Sequence, residues 1–332
     1  PKFNTIDFLV KTKKLENGED YIGNIFREGI DVTQNEQFNQ YKTLILHVGF
    51  DENKHGFLNP CDDIINDKLP RFNDRSSYKA MPFIPYDPMP SYPIYTTDII
   101  LNENNDQLTT EDKKQVFQDD MVVEFRWEDS NEKGRQWVPI RVRYDKTSEY
   151  QRKGKITCNA YTTAEGVWRS INKPVTEKMI STGLDIPDVV DDNIYYDRSN
   201  VETNTQALRD FHNRYVKRKL IVGVSKRGDT LIDMSVGMGG DLQKWIDAKL
   251  SFVFGIDYSK DNIHNRIRGA CSRYLRMKKK YKTMPGALFI QGDSSLNIKN
   301  GDACFSEKGK QIVKAIDGDT AKDEKVLGKG VY

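Results

Sequence analysis

The sequence has 332 residues, about the length of two domains, and its 51 basic and 49 acidic residues leave a net charge of +2. Hydrophobic residues make up 37% and charged residues 30%, which fits a soluble globular protein. No apolar run approaches the roughly 18–20 residues of a membrane span, and the N-terminal stretch lacks the pattern of a secretory signal peptide.

The first half of the chain has the pattern of a β domain. Short segments rich in β-branched and aromatic residues alternate with loops rich in Pro and Gly, which predicts the strands NTIDFLV, YKTLILHVGF, PIYTTDII, DMVVEFRWE and WVPIRVRYDK. The proline-rich segment 69–93 cannot form one regular element. Five or six such strands favour a small barrel, with Trp127 and Trp137 in its core, and the OB-fold is one candidate.

The second half has the pattern of an α/β domain. Helical spacing over 163–182 is broken by Pro174, the acidic stretch 185–202 is predicted to be a linker, and residues 207–224 fit a helix with a basic face. Strands and helices then alternate as LIDMSV, DLQKWIDA, FVFGIDYS, DNIHNRIRGACSRYLRMKKKY and ALFIQGD. This alternation predicts a parallel sheet of right-handed βαβ units.

Three successive strands of this sheet end in glycine or acidic residues. The stretch VGMGGD, with Gly237, Gly239 and Gly240, would let the backbone approach a ligand at the carboxyl end of the first strand. Asp257 ends the second strand, where a carboxylate suits the two hydroxyls of a ribose. Asp293 ends the third, where it or Ser294 could meet an adenine edge. The pattern therefore predicts a nucleoside site.

The residues around the glycines favour a ligand without phosphate. A dinucleotide site has GxGxxG with the pyrophosphate at the helix N-terminus, whereas this chain has GxGG followed at once by Asp241. An acid there suits an amino group, and S-adenosylmethionine carries an ammonium, a sulfonium and no phosphate. An ordinary turn with incidental acids is the alternative, which three successive strand-end aspartates make less favourable.

The same segments resemble the mRNA cap guanine-N7 methyltransferases. The resemblance rests on IDMSVGMGGDLQKW, FVFGIDYS, QGDSS and the helix FHNRYVKRKLI, which has that family's Asn-x-x-x-Lys-x-x-Leu-Ile pattern. In the first half, VVEFRW and WVPIRVRYDKT resemble the last motif of the GTP:RNA guanylyltransferases, and FNTIDFLVK resembles the stretch after their fifth motif. The order of the two matches is that of multifunctional capping enzymes, and the closest likeness is to those of large DNA viruses.

The resemblance implies an OB-fold-like β-barrel followed by a Rossmann-like S-adenosylmethionine-dependent methyltransferase domain that is incomplete at its C-terminus. We expect the end of a nucleotidyltransferase domain in residues 1–12 and the guanylyltransferase OB-fold domain in 13–165. A linker is expected in 166–203 and the N-terminal part of the methyltransferase domain in 204–332.

Site residues follow from the matched motifs. Those expected to contact S-adenosylmethionine are Lys217, Asp233, Gly237, Gly239, Asp241, Asp257, Asp293 and Ser294, with Lys217 and Asp241 near the methionine end. Those expected to contact the cap or RNA are Arg209, Asn213, Arg273 and Arg276. Those expected to contact GTP phosphates, which the fork of Arg fits well, are Arg141, Arg143, Asp145 and Lys146. No catalytic residue is assigned, because guanine N7 carries no proton to remove. No metal ligand is assigned, because the chain has only four histidines and no CxxC.

Several features depart from the family pattern. Ser235 and Met238 stand where the family has a Gly and a Lys, which puts one cap-side contact in doubt. The chain has no KxDG nucleophile motif and nothing that resembles the family's aromatic–His cap pocket. The sequence therefore predicts an internal fragment of a larger enzyme that does not transfer GMP by itself. Four scattered cysteines without a CxxC predict neither a zinc site nor a disulfide framework, and favour a reducing compartment.

The implied activity is methyl transfer to N7 of the terminal guanine of a 5′ cap, beside a guanylyltransferase that uses GTP, 5′-diphosphate RNA and Mg²⁺. Capped mRNA ends and GTP are the expected partners, and in some viral relatives a partner subunit stimulates the methyltransferase. The expected location is a cytoplasmic viral factory or the virion. Two alternatives stay open, a non-catalytic RNA-binding module and an RNA methyltransferase with another target base. The single-sign basic run in 263–282 favours phosphate binding, with a solvated helix face as its alternative.

Overall fold

A computed structural model describes residues 4–26, 38–75, 77–102, 106–184 and 205–316. The chain divides into two compact units, which we call unit 1 (Pro1–His55 and Ser77–Pro187) and unit 2 (Gly56–Ser76 and Asp188–Tyr332). The predicted linker lies outside the described residues from 185 onward, while its first part, 166–184, is described and mostly helical.

The described secondary structure consists of strands and short helices. The strands are β1 Thr5–Thr12, β2 Ile22–Phe26, β3 Phe38–Phe50, β4 Lys79–Pro82, β5 Thr96–Ile100, β6 Leu108–Thr109, β7 Val116–Phe117, β8 Val122–Trp127, β9 Trp137–Val142, β10 Thr230–Asp233, β11 Phe252–Asp257 and β12 Gly286–Gln291. The helices are α1 Glu52–His55, α2 Pro60–Ile65, α3 Tyr144–Lys153, α4 Tyr161–Asn172, α5 Glu177–Thr182, α6 Gln206–Asp210, α7 Arg218–Val224, α8 Leu242–Asp247, α9 Lys260–His264, α10 Ala270–Lys280 and α11 Glu307–Ile316. A π-helical segment, Phe211–Lys217, joins α6 to α7. None of these helices is long and apolar enough to cross a membrane.

Unit 1 is built on an antiparallel sheet. Its strand order is β2-β3-β1-β8-β9, and the long β3 also pairs with β4 and β5. Because no pairing joins β2 to β9 among the described residues, the sheet stays open, and the predicted closed barrel is not confirmed. Its core is aromatic: Trp137 is buried as predicted, with its ring centroid 5.1 Å from that of Phe8.

The end of the last predicted strand differs from the sequence-based expectation. The stretch WVPIRVRYDK is a strand only as far as Val142, and α3 begins at Tyr144. Asp145 and Lys146 therefore lie in the first turn of a helix. The helical stretch 163–182 breaks near Pro174 as predicted, into α4 and α5.

Unit 2 contains a three-stranded parallel sheet in the order β10-β11-β12, and this arrangement is consistent with a Rossmann-like fold. All six residues of β11 are buried, which is typical of a parallel strand covered on both faces. The helix predicted over 261–281 is divided into α9 and α10. The division lies at Asn265, whose Oδ1 accepts hydrogen bonds from the backbone N–H groups of Ile267 and Arg268.

A segment from the first half of the sequence belongs to unit 2. Residues 56–76 carry Phe57, Cys61 and Ile64 into the same hydrophobic core as β11, β12 and α10. Cys61 forms a disulfide bond with Cys271, 210 residues further along the chain. The expectation that the scattered cysteines form no disulfide is wrong for this pair. Neither cysteine stands in a pairing pattern that the sequence would reveal.

Candidate functional site

A glycine-rich turn follows β10 at the carboxyl end of the parallel sheet. Gly237 and Gly239 have φ angles of +54° and +70°, which glycine adopts without the steric cost that other residues meet. A methyl group added at Gly237 or Gly240 would meet no atom within 4 Å among the described residues, whereas one at Gly239 would approach Leu242 to 3.1 Å. Gly239 therefore packs against the protein, and the other two glycines face open space.

Asp257 connects the end of β11 to this turn. Its Oδ2 accepts a hydrogen bond of 2.8 Å from the N–H of Gly237, and its Oδ1 accepts from the N–H of Ser259 and from Nδ2 of Asn262. The residue is only 8% exposed. These three bonds use most of the roughly four acceptor positions of a carboxylate. Asp257 thus fixes the backbone of the turn, a role that sequence reasoning missed.

Asp233 and Asp241 place further negative charge near the turn, but in different surroundings. Burial raises the pKa of Asp233, and the nearby carboxylates of Asp241 and Asp257 raise it further. The Asp233 Oδ1 accepts a hydrogen bond from the backbone N–H of Ser235. Asp233 is therefore a carboxylate whose charge is poorly compensated.

Asp241 instead forms ion pairs with two lysines. Its Oδ2 lies 3.3 Å from Nζ of Lys217, and its Oδ1 accepts a hydrogen bond from Nζ of Lys244. Its side chain is 14% exposed. The structure thus brings together Lys217 and Asp241, the two residues predicted for the methionine end, but as partners of each other.

Asp293 lies beyond β12 in a tight turn. The parallel register puts Asp257 beside Gln291, two residues before Asp293. The Oδ1 of Asp293 accepts hydrogen bonds from the N–H and Oγ of Ser295, which hold the pKa of Asp293 below its usual range. Ser294 is half-buried in the same turn. The third acidic strand end is therefore beside the second, as predicted from the strand order.

Two aromatic side chains at the same edge of the sheet were not predicted. Tyr258 follows Asp257 directly and is 70% exposed, and its ring centroid lies 5.2 Å from that of the half-exposed Phe305. The Nε2 of Gln291 donates to the carbonyl of Tyr258. The tyrosine that follows Asp257 in FVFGIDYS could have indicated a flat apolar surface at this edge of the sheet.

The residues predicted for the cap and RNA lie in α6, in the π-helical segment and in α10. Arg273 of α10 donates from Nη1 to the carbonyl of Met238 at 3.0 Å, so this arginine touches the glycine turn. Arg276 is half-buried one turn further along α10. Arg209 donates to the side chain of Gln206, and Asn213 is exposed in the π-helical segment.

In unit 1 the predicted phosphate-binding cations already have carboxylate partners. The guanidinium of Arg141 binds Glu124, with Nη2 2.6 Å from Oε2. Arg143 and Lys146 both contact the same oxygen of the buried Asp7, at 2.5 Å and 2.6 Å, and Arg143 also contacts Asp145. Among the described residues no group of His, Cys, Asp or Glu is arranged to hold a metal ion.

One comparison with known proteins falls within unit 2. Residues 192–304 match the family model of the mRNA (guanine-N(7))-methyltransferase domain. The predicted resemblance to the cap guanine-N7 methyltransferases is confirmed. This match contains every residue predicted above for the cofactor, the cap and RNA. The matched methyltransferase family implies S-adenosylmethionine as the cofactor.

Two relatives extend the similarity. The chain is 27% identical over 316 residues to a probable mRNA-capping enzyme of Acanthamoeba polyphaga mimivirus, covering 89% of the chain and 24% of the relative. The predicted resemblance to viral capping enzymes is thereby confirmed. The chain is also 33% identical over 70 residues to mRNA cap guanine-N(7) methyltransferase 1 of Arabidopsis thaliana, covering 20% of the chain and 19% of the relative. The chain thus aligns with about a quarter or less of each relative.

Proposed function

We propose that unit 2 binds S-adenosylmethionine and takes part in methylating guanine N7 of an mRNA cap. The observation that carries this proposal is the hydrogen bond from the N–H of Gly237 to the carboxylate of Asp257, which holds an open glycine turn beside an acidic strand end. The family match over 192–304 supports the same reading. Localisation in a viral factory or the virion, and a stimulatory partner subunit, stay predictions for the full enzyme.

The residues present fit this cofactor. Open space above Gly237 and Gly240 would accept a ligand close to the backbone. Asp257 would accept about one ribose hydroxyl, rather than two, while its present bonds persist. Asp293 and Ser294 would face the adenine end.

At the methionine end, Asp233 is better suited than Asp241 to the ammonium group. Asp241 already has Lys217 and Lys244 as partners, whereas Asp233 is a half-buried carboxylate whose pKa is raised. A cation beside Asp233 would stabilise its charged form. Lys217 would then act by neutralising Asp241, which lowers the like-charge repulsion around Asp233.

Methyl transfer to N7 requires the protein mainly to bind and orient the two substrates. The cofactor supplies a methyl group on a sulfonium, which is a good electrophile, and guanine N7 is a nucleophile without a proton. No general base is needed. The protein contributes by holding the reacting groups in line, which supplies several kcal/mol in oriented reactions. Arg273, which donates to the carbonyl of Met238, is a cation at the turn that could meet a cap phosphate.

Calorimetry with S-adenosylhomocysteine tests the proposal. The full chain should bind this ligand, and Asp257→Ala should bind it at least about tenfold more weakly, since a hydrogen bond to a charged group contributes roughly 1.5–3 kcal/mol. Asp302→Ala, at an exposed acid of the same unit, is the matched control. Absence of binding by the unaltered chain under conditions where it is folded would contradict the proposal and favour a non-catalytic module. Capped and uncapped RNA substrates would distinguish N7 of the cap from another target base.

For unit 1 we propose an origin in the guanylyltransferase of a capping enzyme, with GTP phosphates bound by Arg141, Arg143 and Lys146 beside Asp145. The similarity to the mimivirus protein, which covers 89% of the chain, supports this. Binding would require the arginines and the lysine to leave Glu124 and Asp7. An Asp7→Asn variant, which removes one competing charge, should therefore bind GTP more tightly than the unaltered chain, as measured by calorimetry. Mg²⁺ is a prediction for the full guanylyltransferase only.

A further inference from the structure

A second basic surface lies in unit 2, away from the glycine turn. We define the basic–aromatic surface by six residues that come from two distant parts of the sequence: Arg71, Phe72, Arg75, Lys279, Lys280 and Lys282. The first three belong to the segment 56–76, and the others belong to the end of α10 and the residues after it. The surface exists only because that segment folds onto unit 2.

Direct contacts hold the two parts of this surface together. The N–H of Asn73 donates to the carbonyl of Lys279 at 2.8 Å. The Nζ of Lys282 lies 5.1 Å from the ring centroid of Phe72, and that of Lys279 lies 5.4 Å from the ring of Phe57. These distances fit cation–π contacts. The surface is therefore a built arrangement of cations and rings rather than a run of lysines on a helix.

The local charge is strongly positive although the whole chain carries only +2. Residues 67–75 and 278–282 together contain seven Lys or Arg and two Asp. One of the acids, Asp74, accepts a hydrogen bond from the backbone N–H of Arg71. A solvated surface usually mixes both signs, whereas here single-sign charge is concentrated, as in sites that neutralise phosphates.

Exposed aromatic area beside the cations points to a single-stranded nucleic acid. Phe72 is 41% exposed, and half-buried Tyr281 has Lys280 above its ring at 5.3 Å. Proteins that bind single strands combine a cationic groove with rings on which bases stack. An acidic protein partner would use the charges but would have no need of an exposed ring.

Helix α10 connects this surface to the proposed cofactor site. Its first residue, Ala270, packs close to Gly239, and its eleven residues extend over about 16 Å. Arg273, Arg276 and Lys280 are spaced i, i+3, i+7 and so lie on one face of the helix. A cationic path therefore runs from the glycine turn to the basic–aromatic surface.

We propose that the basic–aromatic surface binds the body of a single-stranded RNA whose capped end lies at the glycine turn. This inference rests on the proposed function for the position of the cap, but the RNA contact itself does not. It assigns segment 56–76, which the sequence places among the predicted OB-fold residues, a role in holding the methyltransferase substrate.

The test is anisotropy of a short, fluorescein-labelled, uncapped single-stranded RNA with the full chain. Lys280→Gln combined with Lys282→Gln should weaken binding about tenfold and lower the slope of log K against log salt by about 1.4, since each neutralised phosphate contributes about 0.7. Phe72→Leu, which keeps an apolar side chain but loses the ring, should weaken binding about fivefold with no change in slope. Lys310→Gln combined with Lys314→Gln, on α11, makes the same charge change elsewhere and should leave binding unchanged.

Two further measurements separate the possible outcomes. S-adenosylhomocysteine should bind equally well to all these variants and to the unaltered chain. If the unaltered chain binds RNA but not S-adenosylhomocysteine, the proposed function is contradicted and the RNA contact is not. RNA binding that is equal in the surface variants and the α11 control would overturn the inference. Poly-glutamate that binds as tightly as RNA, with no effect of Phe72→Leu, would also overturn it and indicate an acidic protein partner.

Discussion

Replacing Ile64 by Ala tests whether segment 56–76 is a structural part of unit 2. Ile64 is 7% exposed and lies in the hydrophobic core that contains β11 and α10. Core changes of this kind cost about 2–5 kcal/mol because transfer energy is lost and a cavity is left. We expect about 3 kcal/mol here, which multiplies the unfolded-to-folded ratio by roughly 100. Ile22→Ala, at a half-exposed site of unit 1, should cost no more than about 0.5 kcal/mol.

Hydrogen exchange followed by mass spectrometry gives the two units separate readouts. In Ile64→Ala, the buried amides of β11 should exchange roughly 100-fold faster, while those of β1 in unit 1 should keep their protection. Acceleration confined to β1, or none in either strand, would refute the reasoning that the segment stabilises unit 2. Equal acceleration in Ile22→Ala would show that the effect is not specific to the core site.

Three further predictions concern single residues. Burial raises the pKa of Asp233, so the free energy of unfolding should fall as the pH rises from the usual Asp pKa of 3.8 through the raised pKa. In urea titrations at neutral pH, Asp233→Asn should therefore be more stable than the unaltered chain, yet it should bind S-adenosylhomocysteine less tightly. Gly292→Ala would place Cβ 2.3 Å from the Ala303 carbonyl and should lose about 1–3 kcal/mol in the same titration, unlike Gly240→Ala. Cys158, buried with its pKa raised to about 11, should resist iodoacetamide at neutral pH until the chain unfolds, as measured by mass spectrometry.

The local order of the second half could be predicted from the sequence. Strand, glycine turn and helix follow one another over 230–247, because each step depends on neighbouring residues: an apolar run, positive-φ glycines and an amphipathic stretch. The proximity of Asp257 and Asp293 could also be predicted from the sequence, since the parallel strands of βαβ units end at one edge of the sheet. Local pattern and a general rule of topology were sufficient for the placement of these residues.

Features that depend on distant parts of the chain could not be predicted. The packing of segment 56–76 on unit 2 and the disulfide between Cys61 and Cys271 join residues some 200 positions apart. Barrel closure is also non-local: five predicted strands are compatible with a barrel, but within the described part of the chain β2 and β9 each pair with one neighbour. Periodicity reports which face of an element is buried and carries no information about which element covers it.

The partners of the site acids were likewise beyond the sequence, and they change the assignment of roles. Asp241 stands at the start of a helix, so its position alone suggests a free carboxylate for an ammonium group. Lys217 and Lys244 neutralise it. At Asp233, the end of β10, burial and the carboxylates of Asp241 and Asp257 raise the pKa more than Lys217 and the N–H of Ser235 lower it, so its charge is less well compensated. A half-buried, poorly compensated charge is costly to the free protein and is stabilised by a cationic ligand. Ligand affinity at this edge of the sheet should therefore depend more on Asp233 than on Asp241, although the sequence assigns both to the same site.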